Sequence, residues 1–528
     1  MSKEKIDRLI VFGIGGTGER VMRSLVMLLA GGMEMNCNCI QPVLIDSDEK
    51  SKALTRVTQL IEAYNKVRDL YDLNQAFVRD DLVKANSMFH VRIEKPVLFN
   101  VSGTEVESLK KLVDSTNMEK NLKAEFDVLY SAKSQEMKLS WGFVGNPSIG
   151  AIVLNQMLES EQFKKLGITS KDGVFIISSI FGGTGAAGFP LLVNKIRKDL
   201  DKSMDGFRIG ALSMFPYFSL VESKDDSEVV KGLKGYDVAD NEFSTKTKAA
   251  LTYYDEYVKA LCSMYYLGTG EASFRSRFPK FKGGEKQDNP ACMLEILGAK
   301  AVSHFTANAE QIKSEIANND FRNIDGSNFT SYYEYFLDKE PENGDSYNLK
   351  SVDPDVTFRE VFVRLQLMKY IWKDCVPGYI NTAGNQWATS IGMNMGGYNN
   401  MMGTYLASFI NLYEEWKKEL NHDYHNSGFK FRFFDDAQAS SGDQNYITQR
   451  FYPSIAHKVN GGLFSRGDRV KDPEILAKMQ SPYNSNINKG FTSDEIRQKY
   501  AFYTSLYAIE HIIKDSDNKR CINLQFPE

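Results

Sequence analysis

Long apolar runs are what this sequence most plainly lacks. No segment approaches the ~20 consecutive apolar residues of a membrane-spanning helix, and the opening MSKEKIDRLIVFG carries charges without a signal-peptide core. The expectation is a cytoplasmic protein with no membrane insertion. Cysteine is scarce too: there are six in 528 residues, at Cys37, Cys39, Cys262, Cys292, Cys375 and Cys521. Their scattered spacing excludes a disulfide framework and fits a reducing compartment. Histidine is equally rare, with six in the chain. CNC (Cys37 to Cys39) lacks the second pair a structural zinc site needs, and HDYH (His422, Asp423, His425) reads either as a set of metal ligands or as a chance proximity. Neither sign of charge dominates, since 64 Lys and Arg against 68 Asp and Glu leave a net charge of -4. That balance offers no general attraction for nucleic acid or an acidic membrane. A local basic loop (Arg275, Arg277, Lys280, Lys282, Lys286) reads as a solvated loop or as a contact for an anionic partner. The phosphate-loop pattern G-x-x-x-x-G-K-[ST] is absent, as are internal repeats and low-complexity tails.

What is present is a soluble globular composition, 42% hydrophobic and 25% charged, in a chain long enough for two or three domains. The N-terminal part alternates short apolar runs with helical patterns, which predicts an α/β domain with a parallel sheet. Strands are expected at Leu9 to Phe12, Pro42 to Asp48, Val174 to Ile177, and within RIGALSMFPY and SMYYLG. Residues 51 to 140 read as a mainly helical covering layer with an insertion. A helix is expected after Phe181 with Pro190 near its start, and another over Ala249 to Leu261. The segment from Gly268 to Pro290 reads as an exposed loop. Leu294, Leu297, Ala301, Val302 and Phe305 then mark one face of a strong helix. Beyond about Ala317 the composition shifts to Asn, Asp, Ser, Gly and Tyr, a linker or boundary. The last third predicts helices near Phe358 to Trp372 and Tyr405 to Leu420, and a strand at FKFRFF.

Chemistry concentrates in three loops at strand ends. VFGIGGTGERV places Gly13, Gly15, Gly16 and Gly18 between a strand and a helix; glycines let backbone approach a phosphate, and the free N–H groups of a helix start face its charge. WGFVGNPSIGA sets a rigid turn beside Ser148, a helix-starting hydroxyl, with Gly150 in the first turn. IISSIFGGTGAAGFP surrounds Thr184 with Gly182, Gly183, Gly185, Ala186 and Ala187 at a helix start, an anion cradle of backbone N–H groups and a hydroxyl. A dinucleotide oxidoreductase would use the first loop and Asp46 at a strand end, but it leaves the other two loops without a role.

Together, and in this order along the chain, the loops resemble those of the tubulin and FtsZ superfamily, above all its divergent bacterial tubulin-like members. FGGTGAAG resembles the family's G-G-G-T-G-[ST]-G loop, GNPSIG its G-N-P-E-[IV]-G loop with Ser148 in place of the acid, and IDSDEKSKAL its N-T-D-x-x-A-L segment. The resemblance spans roughly residues 6 to 310 and implies a fold. This is an α/β, tubulin/FtsZ-like GTPase domain over residues 1–310, with a mainly parallel Rossmann-like sheet and a long central helix, followed by an α/β C-terminal domain over 311–528.

It also implies a ligand, GTP or GDP with Mg2+. Gly15, Gly16, Thr17 and Gly18 would face the α- and β-phosphates, and Gly182, Gly183, Thr184 and Gly185 the β- and γ-phosphates. Gly145, Asn146 and Pro147 would lie near the γ-phosphate. Asp46 or Asp48 would stand near the magnesium ion, or simply end a strand. Asn289 would read the base edge, cap the helix that begins DNPACMLEILGAKAV, or do both. Hydrolysis in the family uses an acid from the next subunit in a longitudinal homo-oligomer or filament. The expected N-x-D-x-x-[DE] pattern is missing, which leaves Asp320 and Asp325 in NNDFRNIDGSNF as candidates. Two functions follow as expectations: GTP hydrolysis coupled to self-assembly in a cytoskeletal, segregation or defence role, or a non-polymerising nucleotide-binding module with little turnover and an unknown protein partner.

Overall fold

A computed structural model describes residues 5–48, 51–71, 88–100, 108–137, 139, 143, 146–169, 171–200, 208–221, 240–258, 262–268, 276–279, 288–308, 358–381, 386–426, 479–480 and 493–518. The chain opens with a strand, β1 (Ile6–Ile14), that runs directly into α1 (Gly15–Ala30). It continues through β2 (Cys37–Asp46), α2 (Lys52–Arg68), β3 (Arg92–Ile93), β4 (Val97–Asn100), α3 (Pro147–Leu158), β5 (Gly173–Ser179) and α4 (Gly183–Leu200). Next come β6 (Arg208–Met214), β7 (Phe218–Val221), α5 (Asp240–Tyr257), β8 (Ser263–Leu267), β9 (Ser276–Pro279) and α6 (Met293–Ala307).

Seven of these strands form one sheet in the order β3-β2-β1-β5-β6-β8, with β4 also paired to β2, and every pairing is parallel. Parallel sheets need both faces covered, so their strands read as unbroken apolar runs rather than alternating ones. Accordingly, all of GVFIISS in β5 is buried. This is the expected α/β architecture. The chain moves from β1 to β2 on one side and later returns to β5 on the other, so the strand order reverses between β1 and β5. At such a switch point the loops at the carboxyl ends of the strands part and leave a crevice for a ligand.

Several boundaries differ from the sequence reading, each for a local reason. The short strands β3 and β4 extend the sheet beyond β2, inside the stretch read as helical covering; two and four residues give too little alternation to register. Pro190 lies inside α4 rather than near its start, because that helix begins directly at Gly183. Its missing N–H leaves the Ala186 carbonyl without a helical donor, and Asn194 Nδ2 donates to the Pro190 carbonyl at 2.9 Å. Helix α3 begins at Pro147 with Asn146 as its cap position, so Ser148 is an exposed second residue and not the cap. Part of the presumed basic loop is β9, which pairs in parallel with β7.

The last third, where described, is helical: α7 (Phe358–Tyr370), α8 (Ala407–Asn426) and α9 (Asp494–Asn518). The strand expected at FKFRFF and the linker beyond Ala317 lie outside the described residues. Turns of π-helix at Ile371–Cys375 and Met402–Leu406 prolong the two predicted helices. Phe362 stacks on Trp416 with ring centroids 5.7 Å apart, and Trp372 Nε1 donates to Ser505 Oγ at 3.0 Å. These side chains join the same hydrophobic cluster as the sheet. Among the described residues no helix is long and apolar enough to cross a membrane.

Candidate functional site

Two helices begin at the switch point. Ile14, the cap position of α1, has no capping side chain there, so the N–H groups of the first turn keep no side-chain partner at the cap. Gly15 turns the chain with φ +67, a conformation that favours glycine. A Cβ on Gly15 would stand 3.4 Å from Thr184 Cβ and 3.8 Å from Gly185 N. The loop after β1 and the loop after β5 therefore face each other at contact distance. With α4 starting at Gly183, two positive helix ends converge on one spot, an arrangement that an anion between them stabilises.

The spot is a cleft of about 220 Å³. Its lining includes Gly15, Gly16, Thr17, Gly182, Gly183, Thr184 and Gly185, together with Asp46, Asp48 and Asn289. These sequence candidates, drawn from residues as far apart as 15 and 289, meet in one place. Gly18 lies beneath the cleft instead of in its wall, packed on Gly13 and Ile177. Ahead of the GNPSIG motif, Phe143 lines the cleft. Asn146 turns back, its Nδ2 donating to the Phe143 carbonyl at 3.2 Å, and neither it nor Pro147 is in the lining. Gly145, Asp320 and Asp325 lie outside the described residues. Asn289 is not the cap of the following helix, which starts at Met293 with Cys292 in the cap position.

Sequence reasoning missed the charged and aromatic members of the wall: Arg20, Arg56, Phe181 and Phe218. Arg20 carried the clearer signal, an arginine two residues past the glycine loop, in a helix whose later turns are mostly apolar. It is buried, donates from Nε to Glu295 Oε1 at 2.6 Å and from Nη2 to the Tyr217 hydroxyl at 2.5 Å. Glu295 also accepts from the Tyr217 hydroxyl at 3.1 Å and from the Cys292 N–H at 3.2 Å. Arg56 joins Asp288 Oδ1 at 2.5 Å and Glu415 Oε1 at 2.8 Å. Asn289 is 8% exposed, and its Oδ1 has no hydrogen-bond partner among the described residues. A buried acceptor left in that state costs free energy until a donor reaches it.

Acid groups gather at the other end. Glu19 is fully buried, accepts from Ser51 Oγ at 3.0 Å through Oε2, and has no partner for Oε1. Burial, then the charge of Asp46, holds its carboxyl well above the ordinary range. Burial likewise pushes Asp46 up to about 6 from 3.8, although the Asp48 N–H donates to it at 3.1 Å. A carboxyl whose folded-state value exceeds its unfolded one binds protons more tightly when folded, so its contribution falls as pH rises through that interval. In the ligand-free protein without divalent cations, stability should therefore decline between about pH 4 and 6 for this group. Asp46→Asn is expected to flatten that decline in urea titrations, and an identical pH profile in variant and wild type would refute the assignment.

No known family model matches the sequence, and no curated protein matches it. Among solved structures, CetZ from Methanosaeta thermophila superposes with a TM-score of 0.24 at 12% identity, over 67% of this chain and 59% of that protein's length. A superposition at that score fixes neither fold nor chemistry. The architecture rests on the sheet itself, and the site on its own geometry.

Proposed function

We propose that the chain binds a nucleoside triphosphate, GTP in particular, in the cleft between the β1 and β5 loops, in the manner of tubulin-like proteins. The observation that supports this most is the convergence of two glycine-rich helix starts, at Gly15 and Gly183, at the reversal of strand order. Phosphates would lie against Gly15, Gly16, Thr17 and Gly182 to Gly185. The base would reach Asn289, whose unpartnered Oδ1 asks for a donor, and guanine offers donors at N1 and N2. The donor chemistry at Asp46 and Asp48 fits a divalent ion. Among the described residues no three acid, His or Cys groups cluster to hold a metal. Mg2+ would then rest on one or two carboxylates and the ligand's own phosphates, and would supply charge neutralisation there. Hydrolysis to GDP and phosphate on self-assembly is the activity we assign, with positioning and backbone electrostatics as its means. The missing N-x-D-x-x-[DE] pattern favours a second reading, a nucleotide-binding module that neither polymerises nor turns over its ligand.

The test begins with the nucleotide that copurifies with the protein: guanine supports the reading and a nicotinamide cofactor overturns it. Gly183→Ala with Thr184→Ala is expected to weaken GTP binding at least tenfold by titration calorimetry, since a hydroxyl and the room for a close backbone approach are both lost. Unchanged affinity would remove the loop from the site. Light scattering and phosphate release across protein concentration then separate the two readings. A rise in both supports assembly-linked turnover, and neither leaves the binding module.

A further inference from the structure

The segment that brings Asn289 to the cleft is held from both ends by charged groups of α2 and α8. On one side Asp288 pairs with Lys52 and Arg56 of α2. On the other, the Ala291 N–H donates to Glu419 Oε2 at 2.8 Å. Glu419 belongs to α8, in the last third of the chain, and the same Oε2 accepts from Arg23 Nη1 of α1 at 2.7 Å. Its other oxygen is 3.5 Å from Arg56 Nη2. One carboxylate thus touches α1, α2 and the 288–292 segment at once. Arg23 and Glu419 are nearly buried, with side chains 4% and 10% exposed, so these contacts are little screened by solvent.

We infer that Glu419 is a positioning residue for the cleft. It fixes residues 288–292 so that the Asn289 Oδ1 stays aimed at the ligand, and it makes that wall depend on how α8 packs. The inference rests on the nucleotide reading and adds to it a control point distant in sequence. Its consequence is selective: the glycine loops that would hold phosphate do not touch Glu419, so disturbing it affects what the base contributes and spares what the phosphates contribute.

The experiment uses the full chain and two probes, GTP and inorganic tripolyphosphate, with amide hydrogen exchange as a readout that needs no ligand. In Glu419→Ala, exchange at Ala291 is expected to rise at least tenfold more than exchange at the amides of β5, which report the loss of global stability that follows from stranding Arg23. GTP affinity should fall about tenfold, in line with loss of a hydrogen bond to a charged group, and tripolyphosphate affinity should not change. Glu419→Gln keeps an oxygen for Ala291 and is expected to restore its protection. Should the alanine variant fail to fold, Arg23→Met with Glu419→Met removes both buried charges and still deprives Ala291 of its acceptor. Unchanged exchange at Ala291, or equal losses for GTP and tripolyphosphate, overturns the inference. Wild-type protein that binds no GTP overturns the nucleotide reading instead, and the exchange at Ala291 then decides the positioning claim.

Discussion

Glu295→Ala is expected to destabilise the fold by about 3–5 kcal/mol, because it strands a buried guanidinium. Glu295 is the third residue of α6, and it serves three donors at once: Arg20 Nε, the Tyr217 hydroxyl and the Cys292 N–H that begins the helix. Its side chain is fully buried and that of Arg20 is 8% exposed. Burial raises the Glu295 carboxyl above its ordinary value even with Arg20 beside it, so desolvation of the pair rivals its attraction. The pair is therefore a modest net stabiliser and a severe liability when broken. Arg20→Met with Glu295→Leu should recover most of the loss, since no unpaired charge remains. Urea denaturation of the single and double variants measures both. A loss below about 1 kcal/mol in the single variant would mean that water reaches Arg20, contrary to its burial.

How much of this was legible beforehand follows from what each signal is made of. Strands β1, β2, β5, β6 and β8 each contain a short apolar run, and the loops after β1 and β5 carry glycine in a pattern that turn formation alone does not demand. Both are local signals, written in consecutive residues. β3 and β4 are stabilised by pairing with β2 and not by their own pattern, so nothing local announces them. Pro190 misled for a related reason: proline usually marks a helix start, yet here tertiary packing of a buried helix overrides it. The helix after Asn289 was placed too early because Asn-Pro is a common start signal, whereas the chain uses Glu295 to satisfy the Cys292 N–H.

The cleft divides in the same way. Its backbone cradle was readable because glycine is a backbone signal. The charged wall was not, since Arg20 and Arg56, and Glu295 and Glu419 behind them, take their roles chiefly from partners 78 to 396 positions away. No window of sequence contains both members of such a pair. Asn289 was found for its type and position, but its orphaned oxygen is a fact of packing.

Gly18→Ala is expected to damage both stability and binding, and Gly16→Ala only binding, although the two sit in the same loop. A Cβ on Gly18 would lie 2.5 Å from the Gly13 carbonyl carbon, 2.7 Å from Gly13 Cα and 2.9 Å from the Ile177 carbonyl oxygen. All three are backbone atoms of β1 and β5, the two strands that frame the crevice, and no side-chain rotation relieves them. The helix must back away from the sheet, at a cost toward the upper end of the ~1–3 kcal/mol typical of overpacking, and the glycine loops move apart with it. On Gly16 the nearest atom to a Cβ is Arg20 Nη1 at 3.4 Å, the far end of a long side chain. Alanine also favours the helix by roughly 1 kcal/mol over glycine, so Gly16→Ala should melt no lower than wild type. What it loses is the close approach of a phosphate to the backbone, and nucleotide affinity should drop several-fold. Thermal melts and nucleotide titrations of the two variants decide the matter. If Gly16→Ala binds GTP as well as wild type, phosphate does not lie against this turn and the ligand's place in the cleft must be redrawn.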